Sequence, residues 1–185
     1  CALPIYTPVQ HLLMHDFAEA GGRMLVMTSG NIHDEPIQKN DAEALVALAG
    51  IADALLGNNR EILARYDDSV VRVIDAAGEA AIQVIRRARG YSPVPIHLPE
   101  TPDDQGNSGE TEPSIFSAGP EQKNTFCLTR GPEAFVGQHI GDLENAQTFD
   151  AWLEAKARFE TLFRTEPAAY ACDMHPEYLS GKWVH

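Results

Sequence analysis

Between Leu98 and Ile115 the chain carries almost no apolar side chain, and Pro99, Pro102 and Pro113 bracket a tract of Gly, Ser, Asp and Glu. Such a tract buries too little surface to offset the entropy of ordering it. Residues 99–113 are therefore predicted to be a flexible acidic linker, because structureless loops of that length are uncommon inside compact domains; an ordered surface loop is the alternative. The consequence is two units, residues 1–98 and 114–185.

With 44% hydrophobic and 22% charged residues, the 185-residue chain has the composition of an ordinary globular protein. A net charge of -13 makes attraction to nucleic acid by bulk charge implausible. Any anionic ligand must be held by a local basic cluster. Cys1, Cys127 and Cys172 are widely spaced and include no CxxC pair, which fits reduced thiols in the cytoplasm better than a disulfide framework or a zinc site. No apolar run approaches the roughly 20 residues that span a bilayer. The start at Cys1, without Met or a basic leader, and the end at Trp183-Val184-His185 directly after a predicted loop read as a piece of a longer polypeptide.

In the first unit, Thr7-Pro8-Val9-Gln10 is a helix start with an N-cap, a proline at the first helical position and a capping-box glutamine. Val9, Leu12, Leu13 and Phe17 then form one apolar stripe, ended by Gly21-Gly22. His11 and His15 lie one turn apart, but no third ligand is near, and a solvated face is the better reading. Met24-Leu25-Val26-Met27 leaves no solvent face and is predicted to be a buried strand. Its end delivers Thr28, Ser29, Gly30 and Asn31 to one polar corner, the usual place for a ligand in an α/β sheet. A short helix is predicted from about Asn40, with Glu43 at the capping-box position and Gly50 at its end.

A second corner, Asp67-Asp68-Ser69, precedes Val70–Ile74. That run and Ala81–Ile85, separated by Asp75-Ala76-Ala77-Gly78, read as a β-hairpin leading into Arg86-Arg87-Ala88-Arg89. Three arginines in four positions are a candidate anion clamp, since guanidinium groups pair bidentately with phosphate and carboxylate; a basic edge pairing with surface carboxylates is the plainer alternative. If the segment stays extended, Arg87 and Arg89 share one face and Arg86 takes the other. Asp67 and Asp68 are candidates for Mg²⁺ or for ordering the loop, with the structural role preferred for Asp67.

In the second unit, Asn124–Leu128 and Ala134–Gly137 flank the turn Arg130-Gly131-Pro132-Glu133, a second hairpin. Thr148 is predicted to cap a helix whose Phe149, Trp152, Leu153, Phe159, Leu162 and Phe163 form an aromatic core stripe. Ala169–Cys172 reads as the next strand. Lys123, Asn124, Gln138, His139, Asp173 and His175 all fall at element ends, where ligand groups collect.

The motifs Thr28-Ser29-Gly30-Asn31, Glu35-Pro36-Ile37, Asn59-Arg60, Asp67–Val71 and Arg87-Ala88-Arg89-Gly90-Tyr91 resemble the later half of the YrdC-like domain of the hydrogenase-maturation carbamoyltransferases, the HypF family. Lys123–Cys127, Gln138-His139-Ile140-Gly141-Asp142-Leu143 and Cys172–Ser180 are similar to the start of that family's transferase lobe. The resemblance implies a partial YrdC-like twisted α/β sheet domain followed by the N-terminal part of an actin-like α/β lobe. It implies an enzyme that converts carbamoyl phosphate and ATP, with Mg²⁺, into carbamoyl adenylate. The carbamoyl group then passes to the C-terminal cysteine of a partner maturation protein. The family binds nucleotide at a Ser-x-Asn corner, matched by Ser29 and Asn31, and at the strand carrying Ser69; Thr28, Asp68, Arg87 and Arg89 join them as nucleotide and carbamoyl phosphate candidates from the corner and clamp readings, with Lys123 and Asn124 as second-lobe ligand candidates and His139, Asp142 and His175 as catalytic candidates.

Two departures stand out: His33 occupies the place of a serine common in such domains, and the linker is longer and more acidic than expected. The family's acylphosphatase-like and zinc-finger regions, the earlier basic half of its YrdC-like domain and the histidine-rich metal motif of its transferase lobe are not found in these 185 residues, and zinc and a transferase-lobe metal are expected only there, so the isolated chain is expected to be inactive. Two rivals remain, a threonylcarbamoyl adenylate synthase for tRNA modification and a non-enzymatic nucleotide-binding or docking module. The motifs of residues 123–180 weigh against the first.

Overall fold

The computed structural model describes residues 8–99 and 113–185. The predicted linker, residues 99–113, falls almost wholly outside them, as does the Thr7 cap. Helix α1 (Pro8–Glu19) forms as its stripe predicts, but none of its residues is buried, and Leu12 stays 64% exposed. The Met24 run departs from expectation. It takes up no strand pairing, and Val26 is 97% exposed. A strand exists only where a neighbour pairs its amides and covers its side chains. Among the described residues no strand pairs with this run, so composition alone does not make it a buried strand.

Helix α2 (Asp41–Ala47) starts as predicted: the Asn40 side chain accepts from the amides of Ala42 and Glu43 at 2.9 and 3.2 Å. It ends at Leu48, two residues before Gly50. Strands β1 (Val70–Ala76) and β2 (Glu79–Arg86) pair antiparallel around Ala77 and Gly78, whose φ values of 57° and 90° make the tight loop that suits the strand twist. The chain leaves the sheet at Arg86. Arg87 and Arg89 therefore do not alternate across an extended segment, and the face assignment built on alternation fails with it.

The second unit is organised on a five-stranded sheet in the order β3-β6-β5-β4-β7, formed by β3 (Ile96–His97), β4 (Ile115–Ser117), β5 (Cys127–Arg130), β6 (Glu133–Val136) and β7 (Ala169–Ala171). Only β4 and β7 run parallel. The predicted hairpin is β5–β6, and β7 is the predicted third strand; β4 was not predicted, because Ile115-Phe116 between Ser114 and Ser117 is too short an apolar run to signal a strand. Edge strand β3 comes from residues assigned by sequence to the first unit, so the sheet reaches back across the linker for its last strand.

Helix α3 (Ala146–Phe163) covers the sheet. Its cap is Asn145, whose side chain accepts from the Thr148 amide at 2.8 Å, not Thr148, which is buried within the first turn. Phe116, Phe126, Leu128, Leu143 and Trp152 are fully buried between sheet and helix. The rings meet mostly edge to face: Phe126 on Phe159 at 4.9 Å, Phe116 on Trp152 at 5.7 Å. Gly137 lies against the Phe126 ring so closely that a Cβ there would sit 2.9 Å from it. Trp183 does not follow directly on a loop: Leu179–Val184 form helix α4, which brings the Trp183 ring to 5.1 Å from that of Trp152.

Candidate functional site

The two units meet at a cleft of ≈ 260 Å³. Its first wall comes from the corner residues Ser29 and Asn31, from Glu35–Ile37, from Arg65, Tyr66 and Asp67, and from Arg86 at the end of β2. Its second wall is Gln138, His139 and Ile140 after β6, with Ala151, Glu154, Ala155 and Arg158 of α3. Asn31 shapes the corner by donating through Nδ2 to the carbonyls of Ile32 and Glu35, both at 2.9 Å. These bonds use its amide nitrogen and hold Asn31 in the lining of the cleft.

The walls are held together at three places. Glu154 receives Lys39 and Arg65 from the first unit, the latter at 2.8 Å, and Arg158 from its own helix at 2.8 Å. Burial pushes the Glu154 carboxyl up, but the Lys39 bond and the three cationic charges together hold it below the usual carboxylate value. Asn145 donates to the Asp34 carbonyl at 2.9 Å. The His139 amide donates to the Arg87 carbonyl at 2.7 Å, tying the segment after β6 to the segment after β2.

The three arginines divide their work. Arg87 donates through Nη2 to the carbonyls of Tyr91 and Val94 at 2.8 and 2.6 Å. Arg89 donates to the Tyr66 carbonyl at 3.2 Å and lies 3.5 Å from Asp68. Neither lines the cleft. Arg86 does, and it has no ion-pair partner among the described residues, whereas Arg65 and Arg158 share Glu154. Arg86 is thus the guanidinium of the cleft that remains free to take an anion. The Ser69 hydroxyl accepts from the Ala88 amide at 2.9 Å and donates to the Arg89 carbonyl at 2.8 Å, so it fastens the loop that aims Arg86. Thr28 and Asp68 adjoin the corners without lining the cleft.

His139 is half-buried, and burial first, then the Arg86 charge, keep its imidazole below the ordinary value of 6.5. The ring is neutral at pH 7. Lys123, Asn124, Asp142 and His175 are placed elsewhere. Lys123 donates to Asp142 from its amide at 2.7 Å and from Nζ at 3.0 Å; the amide bond is the main reason the Asp142 carboxyl lies below its usual range. Asn124 is fully buried and donates to the carbonyls of Ala118 and Pro120. His175 stacks on Tyr178 at 4.2 Å beside a separate shallow pocket with Asp173 and Lys182.

Sequence reasoning singled out Ser29 and Asn31 but missed Arg65, Glu154 and Arg158. Glu154 and Arg158 are spaced four apart on one helix face, which was the available signal. His15, Asp16 and Glu19 form the three-ligand cluster found among the described residues; all three are exposed on α1 and none lines the cleft.

Fold and site together define a two-part α/β protein, a YrdC-like unit followed by the opening of a Kae1-like one. Residues 5–88 match the family of Sua5, YciO and YrdC proteins, described as "Telomere recombination". Residues 110–185 match the "HypF Kae1-like domain". Over nearly its whole length the chain is similar to HypF proteins. It is 46% identical over 192 residues to Carbamoyltransferase HypF2 of Cupriavidus necator, a match covering 96% of this chain and 22% of the relative. To Carbamoyltransferase HypF of Rhizobium leguminosarum it is 38% identical over 178 residues, 95% of this chain and 22% of the relative. A crystal structure of full-length HypF in a phosphate- and nucleotide-bound form superposes with a TM-score of 0.81 at 43% identity, covering 98% of this chain and 26% of that one. The chain thus spans about a quarter or less of the proteins it matches.

Proposed function

We propose that this segment forms one side of the adenylate-forming pocket of a carbamoyltransferase of [NiFe]-hydrogenase maturation, together with the wall where that pocket meets the transferase lobe. In this reading carbamoyl phosphate, ATP and water yield carbamoyl adenylate, pyrophosphate and phosphate. The carbamoyl group then passes to the C-terminal cysteine thiolate of a partner maturation protein, with release of AMP. The observation that carries the reading is the convergence of Ser29, Asn31 and the unpaired Arg86 in a cleft whose other wall belongs to the second unit. The naming of the relatives as carbamoyltransferases, and the phosphate- and nucleotide-bound form of the neighbouring crystal structure, support it.

The roles follow from the contacts. Arg86 takes a phosphate, because a guanidinium without an internal partner in a partly enclosed site gains most from a charged acceptor. Ser29 and Asn31 orient the nucleotide by hydrogen bonds. Ser69, Asp68, Arg87 and Arg89 act one step back, by fixing the loops that carry these groups. Mg²⁺ is usually held by one or two carboxylates together with substrate phosphates, and Asp67 and Glu35 are the lining carboxylates not committed to Glu154's cluster; they fit that ion, whose part is to neutralise phosphate charge. Among the described residues no helix is long and apolar enough to cross a membrane, and Cys127 and Cys172 are free thiols, which suits work in the cytoplasm.

The test is carbamoyl phosphate-dependent exchange of pyrophosphate into ATP by a full-length protein carrying this segment. Exchange that falls at least tenfold in Ser29→Ala and Arg86→Ala variants is expected. The isolated 185 residues, with α1 and the Met24 run uncovered, are expected to show none; clear turnover by them sinks the reading.

A further inference from the structure

We infer that Gln138, contributed by the second unit, recognises the N–H groups of the carbamoyl moiety in the first unit's pocket and so makes the adenylate-forming site selective for carbamoyl over other acyl groups. The inference rests on the proposed function and deepens it.

Gln138 lines the cleft, is only 3% exposed, and its Oε1 finds no donor among the described residues. A buried carbonyl oxygen without a donor is costly and requires an explanation. Gln138 is not part of the aromatic core. Its terminal amide torsion is soft, so reorienting the carboxamide toward a donor costs little.

Position narrows what the missing donor is. The bond from the His139 amide to the Arg87 carbonyl places Gln138 and Arg86 each one residue away from the same bridge. An acceptor for N–H and a guanidinium for an anion therefore belong to adjoining segments that line one cleft. A carbamoyl phosphate or a carbamoyl adenylate carries an NH₂ and a phosphate separated by a single carbonyl carbon and oxygen, which is a short ligand of that description. The exocyclic amine of adenine lies at the opposite end of a nucleotide from its phosphates and fits the juxtaposition poorly. Burial and the Arg86 charge favour the neutral form of the His139 ring beside Gln138. Gln138 is thus a specificity-determining residue: it touches the substrate and moves no proton.

A site built to hydrogen-bond an NH₂ rejects the analogue that replaces it with CH₃, because its own acceptor is then left unpaired. Pyrophosphate exchange into ATP is measured in the full-length protein with carbamoyl phosphate and with acetyl phosphate. Wild type is expected to prefer carbamoyl phosphate in kcat/KM by about tenfold or more. Gln138→Met keeps the side chain's length and removes both amide atoms; its preference is expected to collapse at least fivefold, with KM for ATP unchanged. Gln138→Glu keeps an acceptor oxygen and is expected to retain the preference. A wild type indifferent to the two acyl phosphates, a preference that survives in Gln138→Met, or its loss in Gln138→Glu would each overturn the inference. So would an effect confined to KM for ATP, which assigns Gln138 to adenine. Absence of any carbamoyl phosphate-dependent exchange in the wild type is a separate result, and it removes the proposed function itself.

Discussion

Ser69 shows how far one hydroxyl reaches. Its Oγ satisfies the amide of Ala88, which is fully buried, and donates to the Arg89 carbonyl. In Ser69→Ala the Ala88 amide is left unpaired, and a loss of about 1–3 kcal/mol of stability is expected, read as a lower denaturation midpoint and faster hydrogen exchange at Ala88. An unchanged midpoint contradicts the fastening role. His139 supplies a prediction of the opposite kind, about charge. Burial and Arg86 favour its neutral ring in the folded protein, so as pH falls the unfolded chain takes up that proton first. The contribution to stability is whole above the ordinary value of 6.5 and is lost as pH falls toward the lower folded value. The ring's NMR titration is expected to have its midpoint below 6.5, and His139→Gln to flatten the pH profile there; a midpoint at or above that value counts against the account.

Elements whose hydrogen bonds close within a few residues were legible in the sequence, and those completed by distant partners were not. Asn40 capping α2, the Ala77-Gly78 turn and the β5–β6 hairpin all satisfy their backbones locally. The Met24 run, by contrast, was read as a buried strand from composition, yet it lies open because burial is conferred by neighbours. Helix α3 falls between these cases. Its aromatic stripe was plain, but Thr148 and Asn145 are both good caps, and only the geometry tells them apart. Asn145→Ala is expected to cost about 1 kcal/mol through the cap, and to free the Asp34 carbonyl as well; thermal unfolding checks it against Thr148→Ser, which keeps the hydroxyl and is expected to cost less. The arginine cluster followed the same logic. Its presence was evident, whereas the division between Arg86 in the cleft and Arg87 on backbone carbonyls depends on where the chain leaves β2. Arg87→Ala is therefore expected to lower stability with nucleotide affinity little changed in the surviving fold, and Arg86→Ala to do the reverse.

At the scale of the whole molecule, the acidic tract argued for two units, and the structure joins them around one cleft. No periodicity connects Lys39 or Arg65 to Glu154, which lies beyond the linker, so the shared wall had no signal in the sequence. Glu154→Gln is expected to weaken the union by on the order of 1 kcal/mol, because these partly exposed pairs are only moderately strong. The effect is expected to shrink in high salt, and hydrogen exchange around residues 36–39 and 65–67 reports it. The central claim, that one cleft built from both units holds the activated carbamoyl group's phosphate through Arg86, is tested most directly by carbamoyl phosphate-dependent pyrophosphate exchange into ATP in the full-length protein and its Arg86→Ala variant. A fall of about ten- to a hundredfold with an unchanged melting temperature is predicted, the equivalent of one charge-assisted contact of about 1.5–3 kcal/mol. Equal exchange by the two proteins would contradict it.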